Sequence, residues 1–136
     1  HKAQVAFDAH TAADKEDFDF CWQLPRRVVP MLYRLRGNER PLPFVEDIAV
    51  PPVALPEFLR RVQDALKTHA VTASLFAHAG HGQLHLRPFL DLGNAAHQKL
   101  LLPLAEDLYQ AVRDVGGTVS GEHADGLSST PFLARQ

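Results

Sequence analysis

The stretch VTASLFAHAGHGQLHLRP, residues 71–88, decides the fold. Val71 to His78 and Gln83 to Pro88 each read as a strand, and the Gly-rich segment between them reads as the turn of a hairpin. If His81-Gly82 is a two-residue turn, Gly80 pairs with Gln83, Ala79 with Leu84 and His78 with His85. A four-residue loop about the same centre gives the same pairing. Directly opposed residues hold their Cβ atoms roughly 4.5 to 5.5 Å apart, so this register lets two imidazoles share a metal at about 2.0 to 2.1 Å from each nitrogen. His81 belongs to the turn tip and points elsewhere. The competing reading makes His78 and His85 a half-buried cross-strand pair that only packs.

Upstream, Phe44 to Val50 carries β-branched residues and stops at Pro51-Pro52, which predicts a strand. A helix should follow directly. Pro56 suits its first turn, and Leu55, Leu59, Val62 and Leu66 share one face, with Arg60, Arg61, Asp64 and Lys67 on the other. Downstream, Asn94 is a good helix cap, and Leu100, Leu104, Leu108 and Val112 recur every four residues as far as about Val115. Pro103 should kink this helix or mark a later start. Gly116-Gly117 should end it by accepting left-handed backbone angles. A short strand, Thr118 to Ser120, then leads into GEHADG, residues 121–126. The order strand, helix, strand, strand, helix, strand predicts a ferredoxin-like α+β sandwich, an antiparallel sheet with two helices on one face.

The remaining N-terminal sequence is less regular. Residues 1–20 are polar and acidic and read as a weakly ordered lead-in or a displaced helix, with the domain proper at 21–136. Between Cys21 and Arg40, apolar residues beginning with Trp22 alternate with Arg26, Arg27, Arg34, Arg36 and Arg40. Pro25 and Pro30 are expected to interrupt any long helix there. The arginines read as a solvated face or a carboxylate clamp.

Composition narrows the function classes. The 136 residues are 46% hydrophobic and 22% charged, the balance of a globular domain rather than a disordered chain. A net charge of −2 gives no overall reason to bind nucleic acid, and no apolar run reaches the roughly 18 residues of a membrane span. The lone Cys21 favours a reducing, cytoplasmic setting. Ser120, Ser128 and Ser129 lack a GxSxG elbow, so serine hydrolysis is not supported.

GTVSGEHADG, residues 117–126, supplies a third type of donor, Glu122, beside His123. Two imidazoles and one carboxylate form the ligand set of a catalytic metal with open positions. In a regular strand Glu122 and His123 would face opposite ways, so joint service needs irregular backbone, which Gly121 and Gly126 would permit. Otherwise the segment is an exposed turn. Two further readings stand beside this one: a self-contained metallohydrolase that activates water on His78, His85 and Glu122, and a non-catalytic interaction module.

HAGHGQLHLRP followed by GGTVSGEHADGLSSTPFL resembles the paired signature of the C-terminal domain of FAD-linked oxidases, the D-lactate, glycolate and D-2-hydroxyglutarate dehydrogenases among the vanillyl-alcohol-oxidase-like flavoproteins. PFVEDIAVPPVALPEFL, residues 43–59, is similar to the strand-and-helix entry of that domain. The forms VEDIAVP and LHLRPFLDL look most like the large bacterial members that append iron-sulfur modules. The resemblance implies that His78, His85 and Glu122 bind zinc or manganese and that His123 is the catalytic base. It implies FAD as cofactor, held mainly by an FAD-binding domain of the same parent protein, and a small 2-hydroxy acid as substrate.

Departures from the family pattern bear on the substrate. His81-Gly82-Gln83 stands where the family commonly has Asp-Gly-Asn, and Arg87 where it often has Asn. The family's arginine three residues after its tryptophan is replaced by Pro25, so Arg26 or Arg27, with Arg87, would hold a substrate carboxylate. The chain has no GxGxxG fingerprint or P-loop, opens at His1, and is short for a two-substrate redox enzyme, which predicts a piece of a larger protein. In isolation it should be inactive and should self-associate through apolar surface that the remainder normally covers.

Overall fold

A computed structural model of the chain describes residues 8, 10–124 and 126–134. The chain forms two compact units, His1–Leu35 and Arg36–Gln136.

The first unit contains α1, Lys15–Leu32. Asp14 caps it, its side chain accepting the Asp17 N–H at 2.9 Å. Residues 1–7 and 9 of the expected lead-in lie outside the described residues. Contrary to expectation, the helix runs through both Pro25 and Pro30. A proline withholds one N–H from the carbonyl four residues back, here those of Cys21 and Arg26. Cys21 is half-exposed and Arg26 exposed, so water can meet the orphaned acceptors.

The second unit is an α+β sandwich. Its strands are β1 (Arg40–Pro41), β2 (Ile48–Ala49), β3 (Ala73–His78) and β4 (Gln83–Leu90); its helices are α2 (Leu55–Thr68), α3 (Ala95–Asp114) and the short α4 (Thr130–Leu133). β4 is the hub, and β1, β2 and β3 all pair antiparallel to it. Thr118 adds a single antiparallel bridge to Ala49, where a three-residue strand was expected. The pairing order Thr118, β2, β4, β3 is that of the ferredoxin-like sandwich.

Alternation along β4 separates the two sheet faces. Leu84, Leu86, Pro88 and Leu90 are buried, while Gln83, His85, Arg87 and Phe89 are half-buried on the opposite face. Leu84, Leu86 and Leu90 pack with Phe58 and Val62 of α2 and with Leu104, Leu108 and Val112 of α3 in one core. Asn94 caps α3 as expected, accepting the Ala96 N–H at 2.9 Å. Pro103 lies within the helix without ending it. Gly116, at φ 70°, takes the left-handed angle that follows α3.

The strand expected over Phe44 to Val50 is reduced to Ile48–Ala49. Asp47, at φ 66°, breaks it from within, since a left-handed residue cannot continue a ladder.

Candidate metal centre

The hairpin register corrects the expected histidine pairing. The loop is four residues long, Ala79 to Gly82, and sets His78 against Gln83 and Phe76 against His85. The expected partner of His78 is therefore displaced by two residues. Because strand side chains alternate with period two, an even displacement preserves the face, so His78 and His85 remain together as diagonal neighbours. Their ring centroids are 5.7 Å apart.

Phe76 organises this pair. Its ring stacks on His85 at 5.9 Å and 25°, and meets His78 edge-on at 5.2 Å. His81 lies at the exposed hairpin tip, as expected.

The 121–124 turn brings the third donor. One ligand atom from each of His78, His85 and Glu122 can be chosen so that all lie within 4.8 Å of one another. Among the described residues this is the one such cluster of histidine, cysteine and carboxylate side chains. Donors at about 2.0 to 2.2 Å from a tetrahedral zinc lie roughly 3.3 to 3.6 Å apart, so closure from a separation of up to 4.8 Å needs movements on the order of 1 Å. Two imidazoles and one carboxylate with space remaining fit a divalent cation that keeps open positions.

Glu122 Oε1 is 3.6 Å from His85 Nε2 and 3.2 Å from His123 Nε2. His123 thus stands beside the donor set, its ring centroid 5.7 Å from that of His85. Its side chain is 63% exposed and open to a ligand. Gly121 and Gly126 do not take left-handed angles here; the left-handed residue of this segment is Ala124, at φ 59°. Gly121 serves by its size: a Cβ there would lie 3.2 Å from Asp47 Oδ1 and 3.3 Å from Gln83 Nε2.

Two carboxylates that sequence reasoning did not single out support the cluster. Glu46 Oε1 accepts from Arg87 Nη2 at 2.6 Å and Nε at 3.1 Å, and lies 3.5 Å from His85 Nδ1. It therefore faces the His85 nitrogen opposite the one nearest Glu122. Asp47 is buried, and its carboxylate accepts the backbone N–H groups of Gly121 (3.1 Å), Glu122 (2.9 Å) and His123 (2.9 Å). Burial is the largest single influence on Asp47 and would raise its pKa. The N–H groups of Glu122, His123 and Gly121, with the nearby His123 imidazole, outweigh it and hold the carboxyl below its ordinary range. The sequence signal was present: two consecutive acids in the apolar run PFVEDIAVP.

The expected carboxylate-binding arginines are placed as follows. Arg87 is on the same sheet face as His85, engaged with Glu46. Arg26 and Arg27 lie on α1 in the other unit, where Arg27 donates to Gln23 at 2.7 Å.

The family model for FAD linked oxidases, C-terminal domain, matches residues 1–136. The chain belongs to this family. The match includes residues 1–20, which sequence reasoning set apart from the domain. Within curated proteins, this FAD-oxidase C-terminal domain is 33% identical over 121 residues to the D-2-hydroxyglutarate dehydrogenase of Pseudomonas putida, covering 88% of the chain and 12% of that protein. It is 30% identical to the D-2-hydroxyglutarate dehydrogenase of Haemophilus influenzae over 95% of the chain and 13% of that protein. It is 25% identical to the glycolate oxidase subunit GlcD of Bacillus subtilis, over 94% of the chain and 26% of that protein. The domain thus spans a small fraction of the length of these relatives. No helix among the described residues is long and apolar enough to cross a membrane.

Proposed function

We propose that this chain is the substrate- and metal-binding part of an FAD-dependent dehydrogenase that oxidises a 2-hydroxy acid of the D-2-hydroxyglutarate, D-lactate or glycolate type to the 2-oxo acid. The observation that carries the reading is the convergence of His78, His85 and Glu122 within 4.8 Å, with a third, solvent-accessible imidazole, His123, 3.2 Å from Glu122.

His78, His85 and Glu122 would hold the metal, zinc or manganese, whose bound charge supplies Lewis acidity toward the hydroxyl and carboxylate oxygens of the acid. FAD, held mainly by an FAD-binding domain of the parent protein, supplies the hydride acceptor. Within this chain, His123 Nε2 takes the proton of the substrate hydroxyl as hydride departs from C2, since imidazole is the side chain suited to proton transfer near neutral pH. Phe76 and Glu46 fix the ring of His85 from two sides, which limits the motion needed to reach a productive geometry. Arg87, on the same sheet face as His85, supplies positive charge for the substrate carboxylate.

The test is anaerobic mixing of the full-length flavoprotein with D-2-hydroxyglutarate, D-lactate and glycolate, followed by flavin absorbance. At least one acid should bleach the flavin, chelation should abolish the bleaching, and zinc or manganese should restore it. Bleaching by none of these acids, or bleaching that survives complete metal removal, would dismiss the reading.

A further inference from the structure

We infer that Asp47 is a positioning residue for the 121–123 turn, setting Glu122 and His123 side by side so that one serves as ligand and its neighbour as base; the inference rests on the function proposed above.

The carboxylate is almost fully used. Oδ1 accepts from the Glu122 N–H at 2.9 Å and from Gln83 Nε2 at 3.2 Å. Oδ2 accepts from the His123 N–H at 2.9 Å and the Gly121 N–H at 3.1 Å. The main-chain carbonyl of Asp47 also accepts the Gly121 N–H, at 2.8 Å. Three consecutive N–H groups converging on one anion form a concave backbone nest, which an extended strand cannot make because its N–H groups alternate in direction. The same turn brings Glu122 Oε1 within 3.2 Å of His123 Nε2.

The local structure carries two costs for this contact. Asp47 is a non-glycine residue at φ 66°, and a carboxylate-bearing residue left only 8% exposed. A left-handed non-glycine residue and a buried carboxylate are each unfavourable unless the surroundings fix them. Here the fixing groups are mostly main-chain donors of the turn that carries Glu122 and His123. Gln83 links the same carboxylate to the hairpin, since it lies directly opposite His78 in the sheet. Asp47 therefore joins the two halves of the cluster, and Gly121 leaves room for its oxygens.

The experiment uses the full-length protein with Asp47→Asn, which keeps the volume but exchanges one acceptor oxygen for a donor. Hydrogen exchange of the segment containing the Gly121, Glu122 and His123 amides is measured beside manganese affinity and single-turnover flavin reduction. Amide protection should fall, metal affinity should drop on the order of 10-fold or more, as for other groups that orient metal ligands, and the rate at saturating acid should fall more than KM rises. Should this variant fail to fold, Gly121→Ala tests the same contact by crowding the carboxylate while keeping its charge, and should give the same pattern. Retained protection, affinity and rate in the folded variant would overturn the inference while leaving the proposed function intact, provided Glu122→Gln loses metal in parallel. If Glu122→Gln keeps its metal and His123→Asn its rate, the proposed function fails and the inference falls with it.

Discussion

Phe76 lies directly across the hairpin from His85, its ring stacked at 5.9 Å, so an aromatic ring rather than a second imidazole faces the central histidine of the cluster. Phe76→Ala should loosen both His85 and His78, whose ring meets Phe76 at 5.2 Å. Because Phe76 is only half-buried, the stability loss should be below the roughly 3 to 5 kcal/mol typical of a core phenylalanine. Manganese affinity should fall by more than stability alone explains. Titration of the folded variant checks this, and unchanged affinity would show that the stack only packs.

Gly82 ends the hairpin loop at φ 74°, and a Cβ there would sit 1.8 Å from the Val50 carbonyl oxygen. The Gly82 carbonyl also accepts the Val50 N–H at 2.8 Å, so loop and strand cannot separate without losing a bond. Gly82→Ala should therefore destabilise the Arg36–Gln136 unit by on the order of 2 kcal/mol or more, combining backbone strain with the clash. The urea midpoint of that unit reads the effect, and a shift below experimental error would contradict it.

Arg87 and Glu46 form a half-buried pair at 2.6 Å that also touches His85. Arg87→Lys keeps the charge but loses the forked grip, so it should release Glu46 and weaken metal binding several-fold. Kinetics separates two roles for the arginine. A rise in KM for the hydroxy acid larger than the loss of metal affinity would place Arg87 on the substrate carboxylate; the reverse would make it a support of His85.

On the exposed face of α2, Glu57 is held below the ordinary carboxylate range first by its hydrogen bond to Arg60 and then by Arg61. A lowered folded-state pKa stabilises the fold above the ordinary glutamate value, about 4.3, and that contribution vanishes as pH falls through the folded value. The difference between wild type and Glu57→Gln should accordingly be small at pH 7, disappear in acid, and shrink in molar salt. A difference that grows below pH 4 would contradict the sign.

Much of the architecture was legible because its signals are local. The Leu55, Leu59, Val62 and Leu66 stripe, the Asn94 cap and the Gly116 stop each follow from one element's own periodicity or end chemistry. The hairpin register was not local in that sense. The loop, Ala79 to Gly82, is centred one residue earlier than the expected His81-Gly82 turn, and only the period of the strand kept His78 and His85 on one face. Asp47 was read as part of a strand because alternation describes side chains and cannot report a left-handed residue whose partners lie at Gly121, Glu122 and His123. α1 shows the converse error, since a proline penalty on a half-exposed helix can be met by water.

The central claim assigns different work to neighbouring residues, and comparison of Glu122→Gln with His123→Asn in the full-length flavoprotein tests it most directly. Metal content and single-turnover flavin bleaching are measured on the same samples at saturating 2-hydroxy acid. Glu122→Gln should lose metal and bleaching together, with partial recovery in excess divalent metal. His123→Asn should retain metal while bleaching slows by on the order of 100-fold, the usual contribution of a positioned base. Loss of metal in His123→Asn with retention in Glu122→Gln would reverse the two roles, and no effect of either change would show that the 121–124 turn takes no part in catalysis.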